Sequence, residues 1–513
     1  MRATLLVLFA AALAACGSPQ DRGSCGTSTD CPAGAYCAHT PDGSVCWPDA
    51  VAPVVSGVTV TCAAPCLRDS TLHVQATISD DAEVLDARVT LDVGGPPVPL
   101  ARTGSTWSAT LPLRAFPFDF FSHGVVATVT ARDGARNETS LDASGVTTVT
   151  RLRWQTQFTS SVAPLAVNAA GMLAVPSSNG TTSLLTWDGE IVTSVQTGSN
   201  LQQPAAALAS GQSFWVANDA GFVNELSDNG SGWTAVQKAS TGDALRGSLA
   251  LMSNGTVIAV SDAGVVYAVT AVTKNSSPLS GFTVGAIIDA SDSIFAVAGG
   301  SAYRLSLSGG IPITTWTSPV GLGGTVLDPI ACTTALVSVA NTVGGGLLRS
   351  VSPGGDPELG VSTSTPAGGP VYVSDSSILV PEQTKTLSRW TSTGDAFPGW
   401  LKPDLGGAAR TPLVMTGAAP FVVPTAKGAV HALRANGSIA WSGQLSTGTA
   451  ALQPGNLFTY DATPGEELSL AYFAGSDGWL HAVIVDGKLD GSAPWPKAFH
   501  DPANTNRAGA QPW

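Results

Sequence analysis

Two hydrophobic patterns divide the chain. Between residues 51 and 150, "TLHVQATISD", "DARVTLDVGG" and "STWSATLPL" alternate apolar and polar positions with a period of two, and Gly, Pro or Asp turns separate them. That alternation predicts half-buried strands in an antiparallel β-sandwich. Beyond residue 151 the unit is an apolar strand, a Gly or Ser/Asn turn, a strand ending in an apolar–polar–x–apolar tetrad, then an Asx-Gly or Gly-Gly turn. The tetrads fall at 184–187, 223–226, 266–269, 302–305, 348–351, 387–390, 430–433 and 480–483.

Their last residues are 39, 43, 36, 46, 39, 43 and 50 positions apart, an average near 42. One four-stranded propeller blade has that length, so residues 151–513 predict an eight-bladed β-propeller rather than a seven-bladed one. Closing the ring requires a blade shared by both ends of the domain, because this hides two open β-edges. "RLRWQTQF" (151–158) reads as the outer strand of the blade that ends near Val485, with the tail lying over the closure. Composition agrees with an all-β chain. Charged residues are only 12%, while Gly numbers 57 and Pro 34, so material for exposed helix faces is scarce.

Five repeats are clear: "TTSLLTWDGEIV" (181–192), "AGFVNELSDNGSGW" (220–233), "AGVVYAVTAV" (263–272), "GAVHALRANGSIAW" (428–441) and "DGWLHAVIVDGKL" (477–489). They resemble the repeats of PQQ-like propellers, in which an Asn-Gly or Asp-Gly hairpin precedes a strand carrying Trp. "DGSAPWPKAFHDPANTNRAG" resembles the terminal motif of secreted propeller proteins. Within 51–150, "VATVTARDGARN" (126–137) resembles the late strand of bacterial immunoglobulin-like modules. Asp80, Asp81, Asp133 and Asn137 of that region offer oxygen ligands suited to calcium. The simpler reading makes them turn residues that hydrogen-bond their own backbone.

The first 15 residues hold one basic residue, Arg2, an apolar run and small residues Ala14 and Ala15, the pattern of a signal peptide. Leu13-Ala14-Ala15-Cys16 resembles the bacterial lipoprotein lipobox, which implies lipid attachment at Cys16. Gly17-Ser18 lacks the Asp that retains enterobacterial lipoproteins at the inner membrane, so the outer membrane is the expected site, facing periplasm or cell surface. In such an oxidising compartment Cys25, Cys31, Cys37 and Cys46, spaced C-x5-C-x5-C-x8-C, predict two disulfides in a tether over 16–50. Spacing leaves three connectivities open. Zinc would require tighter pairs, and only His39 is near. Cys62 and Cys66 predict a third disulfide across Ala63-Ala64-Pro65, and Cys332 reads as a lone core thiol.

The net charge of −13 and the absence of a Lys/Arg cluster argue against nucleic acid as a partner. The PQQ-like resemblance invites a quinone-dependent enzyme, yet the adjacent cysteines of that family are missing and no nucleophile-elbow, phosphate-loop or H-E-x-x-H motif occurs. His431 and His481 each take the second tetrad position, which Asn224 and Tyr267 take elsewhere, and so read as blade packing. His500 reads as structural. The expectation is a non-enzymatic, lipid-anchored scaffold that binds a protein or glycan and needs no cofactor. A quinone- or metal-dependent enzyme and a structural envelope protein are the alternatives. Lipoproteins of the outer-membrane β-barrel assembly machinery are a fold-level analogy only, since they carry no such N-terminal modules.

Overall fold

The computed structural model describes residues 24–200, 205–207, 213–270, 274–279, 283–317, 321–322, 324–331, 336–352, 354–446 and 450–508. The signal peptide, Cys16 and Cys332 lie outside them. The chain forms two compact units: Met1–Phe118 with His123–Thr150, and Asp119–Ser122 with Arg151–Trp513. Among the described residues the helical content is two 3-10 turns, Ser28–Asp30 and Leu113–Ala115. No helix among them is long and apolar enough to cross a membrane.

The first unit begins with a hairpin, Ala35–Thr40 against Gly43–Pro48, that sets Cys37 directly opposite Cys46. Each of these cysteines reaches back to the preceding segment, Cys37 to Cys25 and Cys46 to Cys31. Buried Cys31, Ala35 and Cys37, with Cys25 and Cys46 beside them, form the module's small core. About 25 residues cannot bury enough apolar surface to fold unaided, so cross-links supply what the core lacks, of the order of 3 kcal/mol for a 15-residue loop. Cys62 pairs with Cys66.

Two four-stranded antiparallel sheets follow. One contains Val54–Thr61, Thr71–Ser79, Thr106–Pro112 and Ala101–Thr103; the other contains Glu138–Asp142, Ala127–Asp133, Val84–Leu91 and Val98–Pro99. Alternate residues of both sheets fill one core, with Leu72, Val74, Ala76 and Ile78 from the first and Val89, Leu91, Val129 and Ala131 from the second. The period-two alternation thus becomes an inside and an outside face. Buried Arg68 donates to the carbonyls of Leu113 and Phe116, which places its charge on hydrogen-bonding partners within the unit.

The second unit holds eight sheets among its described residues, seven of four strands and one of three. Their second strands, such as Leu173–Pro176, Ser213–Ala217, Ile294–Ala298 and Phe421–Pro424, are buried at every position. The fourth strands, such as Ile191–Gln196, expose alternate residues. A strand covered on both faces must be apolar throughout, whereas an edge strand need only be apolar on one face, which accounts for the mixed patterning of each repeat.

The sheet of Asn456–Asp461, Leu468–Ala474 and Trp479–Asp486 takes Leu152–Gln157 as its fourth strand. Arg151, fully buried, locks this join. Its guanidinium donates to the carbonyls of Phe120 at 2.9 Å and Ile484 at 3.1 Å and to Asp486 Oδ2 at 2.7 Å, and stacks over Trp441.

The tetrads lie on the third strands with one correction. In the first repeat the third strand is Thr181–Leu185, so its tetrad is 182–185 and the reading at 184–187 stands two residues too late. The anchor is Gly180, whose φ of 83° matches Gly221 and Gly264 at the same turn. An added Cβ there would lie 1.7 Å from the Gly198 carbonyl oxygen. The apolar pair Leu184-Leu185 concealed this register, because Thr182 stands where the other repeats place Val, Ala or Leu.

Candidate functional site

The segment 495–508 binds the first strands of the second unit's sheets in ring order. Tyr372 and Val414 donate their backbone N–H to the carbonyls of Trp495 and Pro496. Val167, Ala207, Leu251 and Ile288 donate to those of Pro502, Ala503, Thr505 and Asn506, each at 2.8 Å. Between these two groups, Asn456 of the closing sheet reaches the Pro502 carbonyl with its Nδ2 at 2.9 Å. Seven of the eight sheets are joined in this way. The tail lies over the closure, where it meets Asn456, and continues beyond it along the inner strand ends of nearly the whole ring. First strands of two residues, such as Ala166–Val167, leave inner N–H groups that need acceptors, and the tail supplies them.

Side chains complete the plug. Asn504 Nδ2 donates to the carbonyls of Leu165 and Ala205, and Asn506 Nδ2 to that of Leu249. Lys497 is fully buried, its Nζ donating to Ala498 O at 2.6 Å, Asp501 O at 2.9 Å and Asn504 Oδ1 at 2.8 Å. Burial pulls its ammonium down to about 7, partly offset by Asp501. His500 is buried edge-on against Trp495, with ring centroids 4.9 Å apart, and so is part of this packing. Phe499, His500, Asn504 and Asn506 all have positive φ, a backbone that persists only where the surroundings hold it.

Four of the second tetrad positions perform one repeated task. Asn224 donates to Thr197 O at 2.9 Å, and Tyr267 donates to Asp243 Oδ2 at 3.0 Å. Arg349 donates to Gly321 O, and His431 Nε2 donates to Leu405 O at 3.0 Å. Each acceptor sits in the linker that leaves the preceding sheet, so these side chains latch neighbouring sheets together. His431 and His481 do not converge on one point. His481 is buried against Trp479 with both ring nitrogens lacking a hydrogen-bond partner, and desolvation holds both imidazoles below the usual histidine range. Trp187 stacks on Tyr460 at 5.5 Å and Trp400 packs on Phe421 at 5.8 Å, again between sheets. An open cleft lined by Ser161, Pro164, Ser178, Gln453 and Ser476 offers hydroxyls and an amide, with no titratable group among its lining residues.

In the first unit the structure gathers carboxylates. Asp80 and Asp81 follow the strand Thr71–Ser79, and Asp49 joins them from just beyond the strand Gly43–Pro48, each with an oxygen within 4.8 Å of the others. Fully buried Asp133 is satisfied by Asn137, whose backbone N–H and Nδ2 both donate at 2.8 Å. Asn137 thus acts as a turn residue that hydrogen-bonds Asp133 through its backbone N–H and its Nδ2. Asp49 was not among the residues singled out by sequence, since no local signal links it to a turn 31 positions away. Desolvation, then the charges of Asp133, Asp49 and Asp81, push the Asp80 carboxyl above the usual range.

No family model matches the chain, and no curated protein matches it. Solved structures do. Sqt1 from Saccharomyces cerevisiae is similar with a TM-score of 0.53 and 11% identity, covering 66% of this chain and 99% of that one. BamB from Moraxella catarrhalis has a TM-score of 0.48 and 16% identity over 64% of this chain and 96% of that one. The Dos1 propeller has a TM-score of 0.48 and 12% identity over 66% and 96% respectively. At such identities likeness speaks for fold alone, and the likeness to Sqt1, with the sheet order of the second unit, identifies that unit as a β-propeller.

Proposed function

We propose that this chain is a non-enzymatic, outer-membrane lipoprotein whose eight-bladed propeller binds a protein or glycan partner, carried on a disulfide-stapled tether and an immunoglobulin-like module. The observation that carries the reading is the tail bound to the first strands of seven sheets. The tail occupies the inner strand ends, where a propeller enzyme would seat a cofactor, and its one buried cation is spent on the tail's own oxygens. What is left for recognition is the rim of loops and the outer strands, on which Ile191, Val192, Val236, Ile311 and Ile313 are exposed. Three disulfides in the first unit are in keeping with an oxidising compartment. The lipobox at Cys16 supports membrane attachment, and the protein's surface then works close to the bilayer.

Crosslinking on intact cells, followed by identification of the captured partner, tests the binding role. A discrete partner whose capture is lost on trimming the outer-strand isoleucines is expected, whereas capture of nothing above background favours a purely structural envelope role. In parallel, the Cys16→Ala variant should leave the membrane fraction. Its retention there would remove acylation at Cys16 from the reading.

A further inference from the structure

We infer that Asn229 is a self-modifying residue, which loses its side-chain amide to the backbone nitrogen of Gly230 and becomes aspartate or isoaspartate in the folded protein. The chain carries four Asn-Gly pairs, at 179–180, 229–230, 254–255 and 436–437, and the Asn of each pair is exposed. Glycine favours the reaction because no Cβ shields the attacking nitrogen. The pairs differ in what holds that nitrogen. Gly180, Gly255 and Gly437 donate their N–H to the carbonyls of Ser177, Met252 and Arg434 at 3.0, 3.0 and 2.8 Å, which fixes each nitrogen inside a tight backbone turn. Gly230 donates instead to a side chain, Asp228 Oδ1, at 2.9 Å. Gly230 is itself exposed, and a Cβ added there would meet nothing within 4 Å, whereas one on Gly437 would lie 2.5 Å from the Leu401 carbonyl oxygen.

The rest of the turn supplies the other groups the reaction needs. Asn229 Oδ1 accepts from the Ser231 N–H at 3.0 Å and from the Ser231 hydroxyl at 2.6 Å, which polarises Cγ and places two donors on the oxygen where negative charge develops. Asp228 is the acceptor for the proton that Gly230 gives up. In the step itself the Gly230 nitrogen bonds to Asn229 Cγ while its proton passes to Asp228. The Cγ–Nδ2 bond then breaks, and Nδ2 takes that proton and leaves as ammonia. Water opens the resulting cyclic imide at either carbonyl, giving aspartate or isoaspartate. Asn436 carries the same two donors from Ser438, at 3.0 and 2.8 Å, so the contrast with Asn229 lies in the glycine that follows. The product adds a negative charge beside Asp228 in the hairpin that joins Phe222–Asp228 to Trp233–Ser240, and isoaspartate lengthens that turn by one backbone carbon.

The competing account is ordinary hydroxide-driven loss at any exposed Asn-Gly pair, with no help from the fold. To separate the two, the full chain is held at neutral pH, sampled over weeks and digested in mild acid, and each Asn-Gly peptide is followed by mass spectrometry for conversion to the acid and for isoaspartate. Asn229 should convert about tenfold faster than Asn179, Asn254 or Asn436, less than a positioned base contributes in a closed active site. In urea the four rates should converge. Asp228→Asn and Ser231→Ala, both at exposed positions, should each slow Asn229 several-fold and leave Asn436 unchanged, which also reports that the fold is intact. Equal rates at the four sites in the folded chain, a difference that persists in urea, or the full Asn229 rate in either variant overturns the assisted step and favours the ordinary reaction.

Discussion

Lys497 is fully buried and Asp80 only half-buried, and the chain surrounds the two charges in opposite ways. Lys497 Nζ meets three oxygens of its own segment, while Asp80 has the Ala82 N–H beside it and the charges of three other carboxylates around it. A fully buried charge has to be satisfied by the fold, whereas a carboxylate that water still reaches can stand among like charges at a moderate cost.

The largest test of that contrast is a pair of substitutions with opposite signs. Lys497→Met keeps the stem but strands three buried acceptors, and should destabilise the propeller by about 2–4 kcal/mol, read as a lower denaturation midpoint in urea. In calcium-free buffer Asp80→Asn should instead raise the first unit's melting temperature by a few degrees, because it removes a like-charge repulsion.

Acidity should also move the two units in opposite directions. Lys497 titrates near 7 when folded against an ordinary value of 10.5, so between those values the unfolded chain holds more protons and the propeller gains stability as pH rises. That gain is at most about 1.4 kcal/mol per pH unit. The Asp80 carboxyl is raised above 3.8 on folding, so the first unit's stability from this group is present at low pH and is lost as pH rises through the folded value. Hydrogen exchange of peptides from each unit, across pH 4 to 10, reads the two slopes separately. Asp80→Asn should flatten only the slope of the first unit, and Lys497→Met only that of the propeller.

The smallest expected effect is at a latch. Asn224→Ala removes the bond to Thr197 O and should cost about 1 kcal/mol, visible as faster exchange in the first two sheets of the propeller while Lys497 and its acceptors stay protected.

Much of this was legible in the sequence. Period-two alternation marked the two sheets of the first unit, and the near-42-residue spacing marked the blades. The tetrad position of His431 pointed to packing, which its bond to Leu405 O makes concrete. The rest depended on contacts between distant segments. Asp49 lies far in sequence from Asp80, and the role of Asn137 is assigned only once its amide is seen donating to Asp133. "PWPKAFHDPANTNRA" has no periodicity at all, since its shape follows the ring it lines and not its own propensity.

The closure strand has a consequence in time. Arg151 bonds to Ile484, 333 positions further along the chain. During synthesis Leu152–Gln157 has no partner until Trp479–Asp486 exists, and the tail that satisfies the inner N–H groups comes later still. Seven sheets can form from local hairpins, but the last must wait for a loop closure of more than 300 residues, which is expected to be the slow step of folding. Until then the propeller is an open coil with two exposed edges, the state in which the chain is most exposed to aggregation or proteolysis.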